Sequence, residues 1–438
     1  MSEILQHPRN LCALGGQQSV VAIERAVPIV HAGPGCGFKL HTGLGSYNGF
    51  QGGSYSGGAA IVSTNTGEKE VVFGGEARLR SVIDGALKVM NGDLFVVLSG
   101  CTSELVGDDT EHIVSEYRQR GIPIVYAATG GFRGNNIIGH EIVANAIIDQ
   151  LLERKDIVPG VVNVWSGVPY QDAFWAGNLA SIRELLTGLG LKPNILFGPN
   201  SGGLEAWRQV PAAQFNLVLS SWAGVSIARN LNQRFGTPWL HCPTLPIGGI
   251  ETSRFLREVQ KFAKVDTAAS TDFVQAQEAS FNYFFERAAD FFLEFRWDMP
   301  GHFVTIADSF YGIGVSRLLT NEFGLLPLHQ FVTDDPPDEF RSSIEDDFAQ
   351  IAPGISSNVT FTSDSGKVNE VLREVTSAPP IILGSVWDRD IAQEVGGCHL
   401  SIAAPMTDRL ITSCSYLGYN GGLRLIEDLY SSILTFVQ

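Results

Sequence analysis

The chain has 438 residues, of which 44% are hydrophobic and 17% charged, a composition typical of a globular protein with two or three domains. Its formal net charge of −16, with no basic run, argues against nucleic-acid binding as a main role. No apolar stretch reaches membrane-spanning length, and residues 1–10 lack the apolar core of a secretory signal, so we expect a cytoplasmic protein.

The first part of the chain predicts a parallel α/β domain, which we assign to residues 1–157. Helical periodicity is present at Thr110–Arg120, behind the capping residue Asp109, and at Asn136–Glu153. Continuous apolar runs, typical of strands that are buried on both faces, occur at Ala26–Ala32, Asp93–Gly100 and Ile122–Ala127.

The same alternation continues in two further units, assigned to residues 158–297 and 298–438. The second unit has strand-like runs at Val161–Trp165, Asn194–Phe197, Phe215–Leu219 and Pro238–His241, and helical segments at Asp172–Thr187, Val225–Phe235 and Ser270–Phe295. The third unit comprises His302–Ala307, helical Gly312–Phe323, Val359–Thr362, Val368–Val375, Pro380–Val386, Leu400–Ala403 and helical Leu423–Phe436. The predicted fold class is therefore α/β, with three Rossmann-like domains whose mostly parallel sheets are flanked by helices.

Six cysteines in a large chain with no secretory signal do not predict a disulfide framework, and the default for each is a buried thiol. Cys36 and Cys101 depart from this default because each follows a predicted strand, at the edge where open α/β sheets bind ligands. Glycines beside both thiols would let a bulky inorganic cluster approach the backbone. Cys12 lies in a short arm that could fold over the same edge.

The spacing of these three cysteines matches neither a CxxC zinc site nor a compact ferredoxin. Iron–sulfur clusters typically need four or more thiolates, and this domain supplies three. Either the site is incomplete or a second polypeptide contributes the remaining thiolates, which would place the cluster at a subunit interface.

The other chemically notable residues receive ordinary interpretations. Cys242, Cys398 and Cys414 are predicted to be core or structural thiols. His31 and His140 are interpreted as satisfied core or edge histidines. The acids between positions 104 and 109 are expected to cap the helix that follows them.

Three motifs resemble the component-1 superfamily of nitrogenases and their relatives. They are CALGG at 12–16 followed by IERAVPIVH at 23–31, GPGC at 33–36, and GCTSELVGDD at 100–109. Further likeness lies in VFGGE at 72–76, GFRG at 131–134, GH at 139–140 and LGYNGG at 417–422. The resemblance implies that Cys12, Cys36 and Cys101 bind an iron–sulfur cluster, P-cluster-like [8Fe-7S] or [4Fe-4S], which is shared with an α-like partner subunit.

The resemblance also implies a role in electron transfer. It predicts the β-like subunit of an α2β2 reductase that receives electrons from an ATP-dependent [4Fe-4S] iron protein. The catalytic iron–sulfur cofactor is expected in the α-like partner, because the position of the cofactor-anchoring cysteine of nitrogenase α subunits is Ser220 here. Serine is a poor ligand for iron in such a cluster.

Several substrates and roles are compatible with this superfamily. The short extension before Cys12 and the Gly- and Ser-rich segment 45–58 depart from nitrogenases, and we favour a methylthio-alkane reductase that reduces a C–S bond. The alternatives are a true nitrogenase β subunit acting in N2 reduction, a cofactor-assembly scaffold, and a tetrapyrrole reductase subunit.

Overall fold

Three parallel β-sheets organise the protein. The structure is a computed structural model that describes residues 7, 9–37, 43, 47–51, 61–265, 267–295 and 299–437, so most of segment 45–58 lies outside the described residues. The first sheet has the order β2-β1-β3-β4 and is formed by β1 (Ala26–His31), β2 (Val62–Ser63), β3 (Leu94–Ser99) and β4 (Ile124–Ala128).

The other two sheets follow in the chain. The second, in the order β6-β5-β7-β8, contains β5 (Val158–Trp165), β6 (Lys192–Asn194), β7 (Ala213–Leu219) and β8 (Trp239–Cys242). The third has the order β12-β11-β9-β13-β14, with β10 beside β9. Its strands are β9 (His302–Ala307), β10 (Leu326–Pro327), β11 (Gln330–Val332), β12 (Val359–Phe361), β13 (Ile381–Gly384) and β14 (Cys398–Ser401).

Helices cover the sheets and connect successive parallel strands. In the first part of the chain they are Gln17–Ala22, Glu68–Phe73, Glu76–Val89, Cys101–Val106, Thr110–Gln119 and Asn136–Leu151. The middle part has Trp175–Gly188, Gly203–Arg208, Val225–Phe235, Gly248–Ala263 and Ala268–Phe295. The last part has Ser309–Asn321, Asp338–Ala349, Ser365–Val375, Arg389–Glu394 and Gly418–Val437. Within the described residues, no helix is both long and apolar enough to cross a lipid bilayer.

The continuous apolar runs of the sequence correspond to strands that are buried on both faces. Along β3, Leu94, Val96 and Leu98 belong to one hydrophobic cluster. Phe95 and Val97, which point to the opposite face, belong to another. This double burial explains why the strand lacks polar alternation and why the sequence predicted it.

One predicted strand of the second sheet was misplaced. The prediction Asn194–Phe197 is wrong, because the strand is Lys192–Asn194 and the apolar residues Ile195–Phe197 are buried after it. Pro193 lies within this strand, where proline is tolerated because β6 is the outer strand of its sheet.

A glycine contact joins the helix Asn136–Leu151 to the 3-10 helix Ala13–Gly16. A Cβ atom on Gly139 would lie 2.0 Å from the carbonyl oxygen of Ala13. Any side chain at this position would therefore force the two backbones apart. We expect Gly139→Ala to destabilise the protein by about 2 kcal/mol, within the range for overpacked cores.

Gly85 provides the matched control, since a Cβ there would meet no atom within 4 Å. Gly85→Ala lies in an open helical position and should be neutral or stabilise by up to about 1 kcal/mol. Thermal unfolding of both variants measures the difference, and equal melting temperatures would contradict the packing argument.

Candidate metal centre

Two of the predicted ligand cysteines follow neighbouring strands of the first sheet. β1 and β3 are paired in parallel, with His31 opposite Ser99 at their carboxyl ends. Cys101 begins the helix Cys101–Val106 just beyond β3, and Cys36 lies in the helical turn at 34–37 beyond β1. Because parallel strands end at the same edge of a sheet, both cysteines lie at the predicted ligand edge.

Cys12 and Cys101 meet at a turn formed by residues 130–134. The backbone N–H of Gly131 donates a hydrogen bond to the Cys101 sulfur, with a nitrogen–sulfur distance of 3.0 Å. A Cβ atom on Gly131 would lie 3.0 Å from the Cys101 sulfur and 3.6 Å from the Cys12 sulfur. The next residue of the arm, Ala13, donates its N–H to the carbonyl of Gly134 at 2.8 Å. The 130–134 turn therefore holds both cysteines, and both thiols are exposed.

The glycines near the thiols have different structural roles. Gly35 and Gly37 flank the half-buried Cys36, and a Cβ on either would meet no atom within 4 Å, which leaves open space beside that residue. Gly100 has no such space, because its Cβ would lie 2.5 Å from that of Ala32. The expected room for a cluster is thus present beside Cys36, whereas Gly100 is required by the packing of the strand ends.

The chemistry of the three cysteines suits an iron–sulfur cluster, because thiolates are the usual ligands of such clusters. Among the described residues, no group of three or more His, Cys, Asp or Glu side chains is placed to hold one metal ion. The structure brings Cys12 and Cys101 together and places Cys36 at the same edge of the sheet. Exposed thiols, an amide N–H directed at sulfur and open space beside the third cysteine fit a bulky cluster that has several iron atoms.

The remaining cysteines have a different environment. Cys242 and Cys398 are buried, and burial raises the pKa of each thiol to about 12. Burial also raises the pKa of the half-buried Cys414. These thiols stay protonated at neutral pH, in agreement with their prediction as core or structural residues.

The acids that follow Cys101 differ from their predicted role as helix caps. Asp109 does cap the helix Thr110–Gln119 through its side chain. The prediction is wrong for Asp108, whose carboxylate instead contacts the ring of His31 at 3.0 Å and accepts the N–H of Gly75 at 2.8 Å. It is also wrong for Glu104, which binds the 130–134 turn. Burial lowers the pKa of His31, an effect that Asp108 partly opposes.

His140 is a core histidine, as the sequence suggested. It is 3% exposed, its Nδ1 atom lies 2.7 Å from the hydroxyl of Ser19, and burial lowers its pKa to about 4. An unfolded histidine titrates near 6.5, so between these values the unfolded chain binds more protons and stability falls as the pH falls. A shift of this size corresponds to about 3 kcal/mol.

We therefore expect His140→Gln to lose less stability than the wild type on acidification. Melting temperatures of both proteins between about pH 7 and pH 4 measure the effect, because the window is set by the two histidine pKa values. If the two proteins lost stability in parallel over this range, the lowered pKa of His140 would be contradicted.

Ser220 follows β7 and lines a cavity of about 30 Å³. The cavity also includes Asp172, Asp308 and Asp334, and has room for about one water molecule. Burial raises the pKa of Asp172 to about 6, and burial together with the nearby Asp334 raises that of Asp308. The cavity therefore offers neither the space nor the soft ligands that a catalytic iron–sulfur cofactor requires.

Known proteins are similar to this chain over nearly its whole length. A family model described as nitrogenase component 1 type oxidoreductase matches residues 12–434. The nitrogenase molybdenum-iron protein beta chain of Methanothermobacter thermautotrophicus is 24% identical over 482 residues, covering 99% of this chain and 95% of that protein.

Similarity also extends to an alpha chain, over about half of this chain, and to a solved structure. The nitrogenase molybdenum-iron protein alpha chain of Crocosphaera subtropica is 29% identical over 240 residues, 52% of this chain and 49% of that protein. A solved structure of nitrogenase Cp1 at pH 6.5 shares the fold, with a TM-score of 0.80 and 19% identity over 100% of this chain and 95% of that one.

Proposed function

The chain belongs to the nitrogenase component 1 type oxidoreductases as a β-like subunit, and from this premise we propose that it holds half of an interface iron–sulfur cluster. Cys12, Cys36 and Cys101 would be the ligands that this chain contributes. The pairing of the exposed Cys12 and Cys101 on the 130–134 turn carries the proposal. When bound, such a cluster supplies one-electron transfer.

The surface around these thiols supports the proposal that a partner subunit binds there. Leu105, in the helix that begins with Cys101, is 77% exposed, and Phe132, in the 130–134 turn, is 60% exposed. Aromatic and other apolar side chains are common in the buried core of protein–protein interfaces, and these two lie next to the proposed ligands. We propose that the α-like subunit covers this surface in an α2β2 assembly and supplies the remaining thiolates.

The second sheet supports a proposal for the position of the catalytic cofactor. Because the cavity beside Ser220 is small and lined by carboxyl groups, we place the cofactor in the α-like partner. The thiolates of this chain would then lie between an ATP-dependent iron protein, which delivers electrons, and the catalytic site. Amide groups such as the Gly131 N–H would stabilise the charge on the ligand sulfurs.

For the substrate, we propose a methylthio-alkane. The proposal rests on the Gly- and Ser-rich segment 45–58, which departs from nitrogenases. In the reaction, a C–S bond accepts two electrons and two protons, and it yields methanethiol and the corresponding hydrocarbon. Reduction of N2 is the second candidate, favoured by the full-length similarity to nitrogenase beta chains.

The complex purified with its α-like partner tests these roles when it is supplied with the iron protein, ATP and a reductant. ATP-dependent release of methanethiol from a methylthio-alkane is the expected result. Ammonia formed from N2 without methanethiol would identify a nitrogenase instead. Neither product from a complex that retains its iron would contradict the reductase role and favour an assembly scaffold.

A further inference from the structure

Glu104 lies three residues after Cys101 and binds groups outside its own helix. Its side chain is 9% exposed. It accepts hydrogen bonds from the hydroxyl of Ser99 at 2.6 Å, from the backbone N–H of Gly130 at 2.7 Å and from the Nε of Arg133 at 2.8 Å. An acid in the first turn normally interacts with the amino end of its own helix. Glu104 instead connects the end of β3 to the 130–134 turn.

The bond to Gly130 determines where the next amide points. Gly131 follows directly, and its N–H donates to the Cys101 sulfur at 3.0 Å. The fit is tight on both sides of the turn. A Cβ on Gly130 would lie 2.9 Å from the carboxyl carbon of Glu104, and a Cβ on Gly131 would lie 3.0 Å from the Cys101 sulfur. A side chain at either position would have to displace the Glu104 carboxylate or the Cys101 sulfur, so glycine suits this close approach.

We infer that Glu104 is a positioning residue that holds the Gly131 N–H against the Cys101 sulfur and thereby raises the reduction potential of the cluster. This inference rests on the proposed function, in which Cys101 is a cluster ligand. A hydrogen bond to sulfur stabilises the additional negative charge of the reduced state, so losing the bond makes reduction harder.

The charge of Glu104 has the opposite effect and must be separated from its positioning role. A carboxylate near a cluster disfavours reduction, so removing it alone would raise the potential. Its ion pair with Arg133 offers a solution, because removing both side chains leaves the local net charge unchanged. The Glu104→Ala/Arg133→Ala double variant therefore isolates the effect of the hydrogen bonds.

We expect the double variant of the complete complex to retain its iron and to show a more negative midpoint potential in a titration monitored by electron paramagnetic resonance. The matched control is Arg80→Ala/Glu116→Ala, which removes another ion pair of the first domain that does not contact the turn. Its potential should equal that of the wild type. An unchanged or more positive potential in the Glu104/Arg133 variant would overturn the inference.

Hydrogen–deuterium exchange over residues 129–135 provides a second measurement that does not need a bound cluster. The Gly131 amide should exchange faster in the Glu104/Arg133 variant and at the wild-type rate in the control. If the variant loses its iron, unchanged exchange overturns the inference and faster exchange supports it. The proposed function fails differently, namely if the wild-type complex lacks iron or if Cys101→Ala retains all of it.

Discussion

The Cys101→Ala variant, purified with its partner, is expected to lose most of its cluster iron and at least about tenfold in ATP-dependent reduction, since even outer-shell changes at metal sites cost that much. Alanine keeps the helix Cys101–Val106 but removes the sulfur that accepts the Gly131 N–H. The same result is expected for Cys12→Ala, because both thiols lie at the 130–134 turn.

Cys242→Ala is the matched control for this experiment. It removes a thiol of the same size, but one that is buried and whose pKa is raised to about 12. The control should retain wild-type iron and activity. Iron and sulfide analysis of the variants measures the effect. If Cys101→Ala kept its full iron content, Cys101 would not be a ligand.

The second large effect is expected from Arg9→Ala. The guanidinium of Arg9 is buried and binds the carboxylate of Asp388 in the third part of the chain, with one contact at 2.9 Å. It also donates to the hydroxyls of Ser385 at 2.9 Å and Ser365 at 3.0 Å. Removing one partner of a buried ion pair leaves the other charge uncompensated and costs about 3–5 kcal/mol.

Arg9 also anchors the arm that carries Cys12. Asn10 donates to the carbonyl of Thr333 at 2.9 Å, and the Leu11 N–H donates to the side chain of Asn136 at 3.1 Å. The arm therefore runs from the third sheet to the first, and Cys12 follows directly. We expect Arg9→Ala to lower the melting temperature and also to weaken retention of the cluster.

Arg25→Ala is the control for charge removal. Its ion pair with Asp93 is exposed to solvent, so the variant should melt close to the wild type. Differential scanning calorimetry of both variants tests the comparison. Similar melting temperatures for Arg9→Ala and Arg25→Ala would contradict the role of the buried pair.

The sequence predicted best where local pattern and burial agree. β3 is buried along its whole length, and its apolar run revealed it. The helix Glu76–Val89 was missed because most of its surface is polar. Its three buried residues, Leu79, Ile83 and Ala86, follow a helical spacing that could have identified it.

The sequence predicted three cysteines as cluster ligands, but it did not predict the residues that hold these cysteines in place. The cysteines were found through their motifs and their places after strands. Glu104 and Arg9 act across long sequence separations, which no local pattern reveals. The first binds a turn 26 residues later, and the second binds an aspartate 379 residues later. Only the fold brings these groups together.

The most direct test is anaerobic purification of the protein with its natural partner, followed by iron and sulfide analysis of the complex. Our account predicts an α-like partner and about eight iron atoms per shared site for a P-cluster-like centre, or about four for a simpler cubane. A chain that emerges alone and without iron would contradict the cluster assignment for Cys12, Cys36 and Cys101.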